Sequence, residues 1–400
     1  MKLPLEGVKV VELGTHVVVP NASRFLADWG ADVIKIEGLE GEMWRLVGLQ
    51  YNTPAKDEEN PLFAEQNANK KFISINIKTP EGIDILKKLV ENADIFLSNV
   101  RLNSLKKIGL DYENIKQLNE KLIYVHLSGY GEEGPDAPRP GFDLSAYWAR
   151  SGTMCDYVNP GDFPFRPPGG YGDAITSSYL TTGILAALFA REKSGKGTYV
   201  TSSLYGAALW TNQVGIISAQ SGNPYPKSKL TPANPFSHIY KCKDDEWIFL
   251  IITRYQKDYA KFCKTLGMEE YIEDERFNNL ANVQQNSAEC ASIIAEKFAQ
   301  KDREEWCKLF READIVHERL VHAKDVHKDE QAWANGYLRS VTYPSGNTTC
   351  FPTIPVQFKD YPVEKFDLPG LVGRDTKEIL LKYGYTEKDF DELVAKKVIK

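Results

Sequence analysis

Asp173 stands between a glycine-rich turn, with Gly169, Gly170 and Gly172, and a long apolar run almost free of charge: "GGYGDAITSSYLTTGILAAL", residues 169–188. Two chemistries suit a carboxylate in that place. Aspartate is among the best residues for capping the first amides of a helix, and the helix N-terminus favours its charged form. The same surroundings suit a nucleophile, because backbone N–H groups of the turn can hold an oxyanion while the carboxylate attacks a carbonyl. The residues themselves leave both readings open.

Other candidates are fewer. His16 and His126 fall at or near strand ends in the first half, while His238, His317, His322 and His327 show no metal-ligand spacing with carboxylates, so no metal site is expected. Six cysteines are widely spaced, with no CxxC pair, and read as free, largely buried thiols. Lys70 and Lys71 in "NANKKF", and Arg101, Lys106 and Lys107 in "SNVRLNSLKKIG", are cationic clusters that read as solvated surface or as a patch for anions. After the first predicted strand the chain reads "ELGTHVVVP", which lacks the GxGxxG of dinucleotide sites.

The elements that must position these residues are legible from periodicity. "VKVVEL" (8–13) predicts a buried strand, "PNASRFLADWG" (20–30) a helix and "ADVIKIE" (31–37) a second strand, which together make a βαβ unit and imply a parallel sheet. The pattern repeats with strands at 72–77, 94–99 and 122–131 and helices at 79–93 and 111–121. Thr79 reads as N-cap and Pro80 as the first helical residue of the 79–93 helix. The Gly- and Pro-rich stretch 157–173 reads as a functional loop, followed by the Asp173 helix, a turn and strand over 195–204, and a helix to about residue 217.

Residues 222–235 read as a linker. A hairpin over 238–252 and helices to about 312 predict a smaller α+β domain, and the chain ends in two short helices. The expected fold class is α/β: a Rossmann-like, parallel-sheet large domain plus a smaller α+β domain. At 400 residues, 42% hydrophobic and 26% charged, with net charge -6, the composition is that of a globular protein, without the basic balance of a nucleic-acid binder. No apolar run reaches the roughly 20 residues of a membrane span and no secretory signal opens the chain, so a cytoplasmic protein is expected.

Seven ordered blocks carry a resemblance over nearly the whole chain: "LEGVKVVEL", "GADVIKIE", "NANKKFISINIKTPEG", "SGYGEEGP", "PGFDLSAYWARSG", "GDAITSSYLTTGILAALFAREKSGKGTYVTSSL" and "PGLVGRDTKEIL". They resemble the class III coenzyme A transferases, the CaiB/BaiF-type family. The resemblance implies that Asp173 is the catalytic nucleophile. Coenzyme A would be substrate and covalent intermediate, with no permanently bound cofactor. It also implies that Lys70, Lys71, Asn99, Arg101, Lys107 and Tyr130 bind coenzyme A, with Val17 and Val18 where other members carry a Gln-Ala pair. His16, Trp44, Arg45, Phe142 and the three glycines would border the acyl group. The glycine-run loop of other members has no counterpart near 231–240.

Related racemases place a histidine before the aspartate of a "GHD" motif; here the motif is "GFD", and Phe142 cannot exchange a proton. Apolar and aromatic segments bordering the expected pocket suit a medium-sized acyl group. The resemblance implies transfer from isocaprenoyl-CoA or isocaproyl-CoA to (R)-2-hydroxyisocaproate, as in leucine fermentation, with the product passing to a 2-hydroxyacyl-CoA dehydratase. Phenyllactate as acceptor, a 2-methylacyl-CoA racemase and a non-catalytic acyl-CoA-binding protein are the alternatives. The family also implies an interlocked homodimer whose large domain combines residues 1–221 with a returning segment, 326–400, around a small domain, 236–325.

Overall fold

Six strands, β1 (Lys9–Leu13), β2 (Asp32–Glu37), β3 (Lys71–Ser74), β4 (Ile95–Ser98), β5 (Ile123–Ser128) and β6 (Tyr199–Ser203), form one parallel sheet in the order β3-β2-β1-β4-β5-β6. The structure is a computed structural model that describes residues 3–361, 363 and 365–400. The inner strands are apolar on consecutive positions because the sheet is covered on both faces. Val10, Ile95, Leu97, Ile123 and Val125 enter one core with the helices Val18–Asp28 and Tyr171–Ser194. Their neighbours Val11, Phe96 and Tyr124 enter the opposite core with the helix Pro80–Glu91. Successive residues of a strand point to opposite faces, so one sequence run feeds both layers.

Thr79 accepts from the Gly82 amide at 3.2 Å and Pro80 opens its helix, as the sequence predicts. The first helix starts at Val18, two residues before the expected start, and takes Pro20 into its first turn, where a missing N–H costs nothing.

Contacts divide the chain into two units. The first holds the chain up to Met154, Arg166–Ser221 and Gln331–Lys400; the second holds Cys155–Phe165 and Gly222–Glu330. Residues 155–165, read from sequence with the large domain, and 222–235, read as a linker, both belong to the second unit. Asn159 accepts from the Lys229 amide at 2.7 Å, a pairing across 70 residues that no local pattern announces. That unit builds an antiparallel sheet from β7 (Ser237–Lys241), β8 (Trp247–Ile251) and β9 (His317–Arg319) against a core of Phe262, Phe298, Trp306 and Phe310. Four free thiols, Cys242, Cys263, Cys290 and Cys307, are buried in that unit, and burial pushes them all up.

The first unit also holds an antiparallel hairpin of β10 (Leu338–Thr342) and β11 (Thr348–Pro352), which was not read from the sequence. The last helices, Thr376–Lys382 and Glu387–Ala395, bury Ile379, Leu380 and Leu393 in the second face of the parallel sheet. The same segment closes the free edge of β3. Phe72 donates its amide to Asp375 Oδ2 at 2.7 Å and accepts from the Asp375 amide at 3.0 Å, and Ser74 donates its amide to Thr376 Oγ1 at 3.1 Å. Among the described residues no helix is long and apolar enough to cross a membrane.

Asp375→Ala leaves the Phe72 amide without its side-chain acceptor at an edge that water reaches only by local opening. We expect exchange of that amide to accelerate about 10- to 100-fold, the equivalent of roughly 1–3 kcal/mol. Hydrogen exchange followed peptide by peptide measures this; unchanged protection of 71–74 would show that the returning segment does not hold the edge.

Candidate active site at the switch point of the sheet

In a sheet of this order the chain leaves β1 toward β2 and later leaves β4 toward β5, so the two loops diverge and open a crevice at the carboxyl ends of the strands. A cavity of about 700 Å³ occupies that place. The loops are stitched at its base: the Thr15 amide donates to Asn99 Oδ1 at 3.1 Å and Asn99 Nδ2 donates to the Thr15 carbonyl at 2.9 Å. Asn99 therefore lines the cavity as a side chain already committed to the opposite loop.

One side of the cavity is cationic. Arg101, Lys106 and Lys107, on and before the short helix Leu102–Lys107, line it, are exposed, and form no ion pair among the described residues. Arg139 joins them from a loop after β5, held by Asp136 at 2.9 Å. Tyr130 does not line the cavity; its ring lies between the guanidinium groups of Arg139 (5.0 Å) and Arg150 (5.1 Å), and so acts through Arg139. This concentration of positive charge in an acidic protein suits a polyphosphate.

Asp173 also lines the cavity. It is not the helix cap. The cap position is Gly170, in the left-handed conformation at φ 86°, and the capping carboxylate comes from Asp143, 30 residues earlier, at the start of a π-helical turn, Asp143–Ala149. Asp143 accepts from the Gly170 amide at 2.8 Å and the Asp173 amide at 3.1 Å. Gly172 is required by packing: a Cβ there would lie 2.4 Å from Tyr147 Cδ1 and 2.5 Å from Asp143 Oδ1. The amides expected to hold an oxyanion are thus partly spent on Asp143. Gly169 and Gly170 do not line the cavity, so their part in bordering an acyl group is replaced by one of shaping the turn.

This exchange frees the Asp173 carboxylate and changes its charge. Among the described residues nothing hydrogen-bonds it, and burial, with the nearby Asp143 charge as the second cause, pushes its pKa up to about 7. The expectation of a fully ionised carboxylate is corrected accordingly. Asp143 is itself raised by burial, against the pull of the amides it accepts from. Deeper in the cavity, Glu132 accepts from His126 Nδ1 at 2.6 Å and from the Tyr199 hydroxyl at 2.5 Å; burial raises it, but these bonds hold it below the usual carboxylate range.

His16, Val17 and Val18 line the cavity from the β1 loop. His16 has a left-handed backbone, φ 64°, and donates its amide to Glu42 Oε2 at 2.9 Å. Its ring meets Trp44 and Phe142 edge-on, with centroids 5.8 and 5.5 Å apart. Trp44 donates to Gln66 Oε1 at 3.0 Å and borders the cavity only through that ring contact.

Three sequence candidates go elsewhere. Lys70 is fully buried, donating to Glu12 Oε2 (2.9 Å), the Pro20 carbonyl (2.8 Å) and Asn67 Oδ1 (3.0 Å), and cannot reach a phosphate. Lys71 opens β3 and pairs with Asp32 at 3.0 Å at the amino ends of the strands, away from the crevice. Arg45 grips Glu37 with two bonds, 2.8 and 2.7 Å, beneath Phe63. Lys70 belongs instead to a buried set in which Lys35 reaches Glu12 (2.6 Å), Glu42 (2.8 Å) and the Gly14 carbonyl (2.9 Å). Burial alone would raise Glu12, but the two lysines hold it at about 2.

Asp143, Glu132 and Arg139 were not singled out from sequence. Asp143 acts across 27 to 30 residues, and Arg139 sits in a loop with no periodicity; the only signal was the "GFD" motif, of which Asp143 is itself the aspartate.

Comparison with known proteins agrees with the cavity. The sequence model of CoA-transferase family III matches residues 5–376. The chain is 41% identical over 396 residues to (R)-2-hydroxy-4-methylpentanoate CoA-transferase of Clostridioides difficile, covering 99% of each chain. It is 38% identical over 397 residues to cinnamoyl-CoA:phenyllactate CoA-transferase of Clostridium sporogenes, covering 98% of this chain and 96% of that one. The crystal structure of a CAIB/BAIF family protein from Brucella suis superposes with a TM-score of 0.82 at 26% identity, over 96% of this chain and 100% of that one.

Two outcomes follow from the charges. A reaction that needs the Asp173 carboxylate ionised falls tenfold per pH unit below about pH 7. In Asp143→Asn that acid limb of kcat/KM moves down but stays above the ordinary carboxylate range, since burial is the larger cause; a limb that does not move would remove Asp143 as a contributor. Lys35→Met leaves Glu12 and Glu42 short of their shared cation, and we expect a loss of about 3–5 kcal/mol, read as a lower urea midpoint. A midpoint equal to that of the parent protein would rule out the buried set as a structural support.

Proposed function

The chain belongs to CoA-transferase family III, and from that membership we propose that it moves coenzyme A from an acyl-CoA to a 2-hydroxy acid, through covalent intermediates on Asp173. The observation that carries this reading is the Asp173 carboxylate, free of hydrogen bonds among the described residues and half-buried in a cavity also lined by Arg101, Lys106, Lys107 and Arg139. The cations suit the phosphates of coenzyme A, and the carboxylate suits its thioester.

The steps balance without an external energy source. The ionised Asp173 attacks the thioester carbonyl, the C–S bond breaks, and an acyl-aspartyl anhydride and a CoA thiolate result. The thiolate attacks the aspartyl carbonyl, releasing the first acid as its carboxylate and leaving an aspartyl-CoA thioester. The incoming carboxylate attacks that thioester and expels the thiolate, forming a second anhydride. Attack by the thiolate on the new acyl carbonyl yields the product acyl-CoA and restores Asp173. Each electrophile is hydrolysable, so a half-buried carboxylate with an apolar neighbourhood of Val17, Val18 and Leu204 favours transfer over loss to water.

For the acid, the two relatives named above both act on 2-hydroxy acids, with branched aliphatic and aromatic side chains respectively. We take (R)-2-hydroxyisocaproate as the acceptor, with isocaprenoyl-CoA or isocaproyl-CoA as donor and a 2-hydroxyacyl-CoA dehydratase as consumer of the product. Phenyllactate is the second reading, favoured by the aromatic wall of Phe142, 58% exposed. A homodimer is part of the proposal: none of the eight residues of the helix Gln213–Gln220 is buried, although Val214 and Ile217 are 75% and 63% exposed, next to Trp210 at 63%.

The purified protein, given isocaproyl-CoA and (R)-2-hydroxyisocaproate, is expected to form 2-hydroxyisocaproyl-CoA in amounts equal to the donor consumed, as measured by mass spectrometry. Asp173→Ala is expected to lower the rate by at least about 10³-fold while folding normally. Turnover that survives in the variant would overturn the covalent role. Donor loss without product would indicate hydrolysis, and binding without turnover in the parent protein a non-catalytic acyl-CoA-binding protein.

A further inference from the structure

The mechanism leaves the imidazole of His16 unused. His16 lines the same space as Asp173, and among the described residues neither of its ring nitrogens has a partner. Its placement is costly. A histidine at φ 64° is in the left-handed region that side chains disfavour, and the Glu42 carboxylate holds it there through the His16 amide. Glu42 in turn takes its orientation from the fully buried Lys35. The ring is then fixed between the edges of Trp44 and Phe142, and Phe142 adjoins Asp143, which binds the Asp173 amide. A short chain of direct contacts therefore ties the imidazole to the turn that carries Asp173.

Several polar side chains of the cavity are committed: Asn99 is bonded to the Thr15 backbone, Glu132 to His126 and Tyr199, and Ser128 to the Gly131 amide. The His16 ring itself meets two aromatic rings, and its chain neighbours Val17 and Val18 line the cavity beside it. An acyl group bound to Asp173 would present its α-carbon one bond from the reacting carbonyl, with its hydrocarbon tail against such walls.

We infer that His16 is a specificity-determining residue that hydrogen-bonds the 2-hydroxyl of the acid. The inference rests on the 2-hydroxy-acid reading above. A site that aims an uncommitted hydrogen-bonding group from between two aromatic rings favours an acid with a hydroxyl at that point and disfavours the analogue that leaves the group unpaired. The backbone strain at residue 16 is then part of how the ring is aimed.

The test is a ratio. With hexanoyl-CoA as common donor, kcat/KM is measured for (R)-2-hydroxyisocaproate and for isocaproate, its analogue without the hydroxyl, in the parent protein, His16→Gly and His16→Asn. Glycine and asparagine both tolerate the left-handed backbone, so neither adds strain. We expect the hydroxy-acid to isocaproate ratio to fall about 10- to 100-fold in His16→Gly and to recover in part in His16→Asn, which restores a hydrogen-bonding group. Because both acids are measured on the same protein, a general loss of folding cancels in the ratio. A ratio unchanged in His16→Gly overturns the inference while leaving the function standing. A parent protein that transfers CoA to other acids but to neither of these overturns the acid reading and the inference together.

Discussion

Glu12, the penultimate residue of β1, has no exposed atom, and its charge is the constraint around which the cleft is organised. A buried carboxylate in this position survives only if cations and hydrogen bonds replace the water it has lost. Lys35 from β2, Lys70 from the chain entering β3, and the Ser23 hydroxyl at 2.6 Å from the first helix do so. Each partner comes from a different element, so the network fixes the relative positions of two strands, a helix and the loop between them. Lys35 extends it to Glu42, and Glu42 to His16. A strained turn at the mouth of the cavity is thereby held by charges far from solvent and from salt.

A second carboxylate pair does comparable work at the nucleophile. If Asp173 capped its own helix, its oxygens would be occupied and its pKa depressed. Asp143 instead takes the capping role from a distant turn, which leaves Asp173 unencumbered and, with burial, titrating near neutrality. The cost is that amides of the Gly170–Asp173 turn face Asp143 and not a substrate. In the proposed reaction, a carboxylate kept free of capping would be available to attack, at the expense of requiring a pH at which it is ionised.

The parallel sheet, the helix with Thr79 and Pro80, and the hairpin of the second unit were legible in the sequence because each depends on local periodicity or capping. The Asp173 position was legible through its glycine turn, Arg101, Lys106 and Lys107 as a cationic cluster, and Val17 and Val18 through the family resemblance; all of them line the cavity. Lys70 and Lys71 show where local reading fails. Adjacent in "NANKKF", they go to the buried network and to the amino edge of the sheet, because neighbouring residues of a strand diverge and the partner of each lies on another element.

By itself, then, the sequence determined the βαβ alternation, the family blocks and the place of the Asp173 carboxylate after its glycine turn, since these reside in short stretches whose meaning does not depend on distant partners. Only the tertiary structure decided which carboxylate caps and which is free, which lysines are spent inside and which face the cleft, and that His16 stands uncommitted beside Asp173. The physical reason is that charge state and availability are properties of a surrounding. That surrounding is assembled here from segments separated by 11 to 58 residues at Glu12 and by 27 to 30 at Asp143.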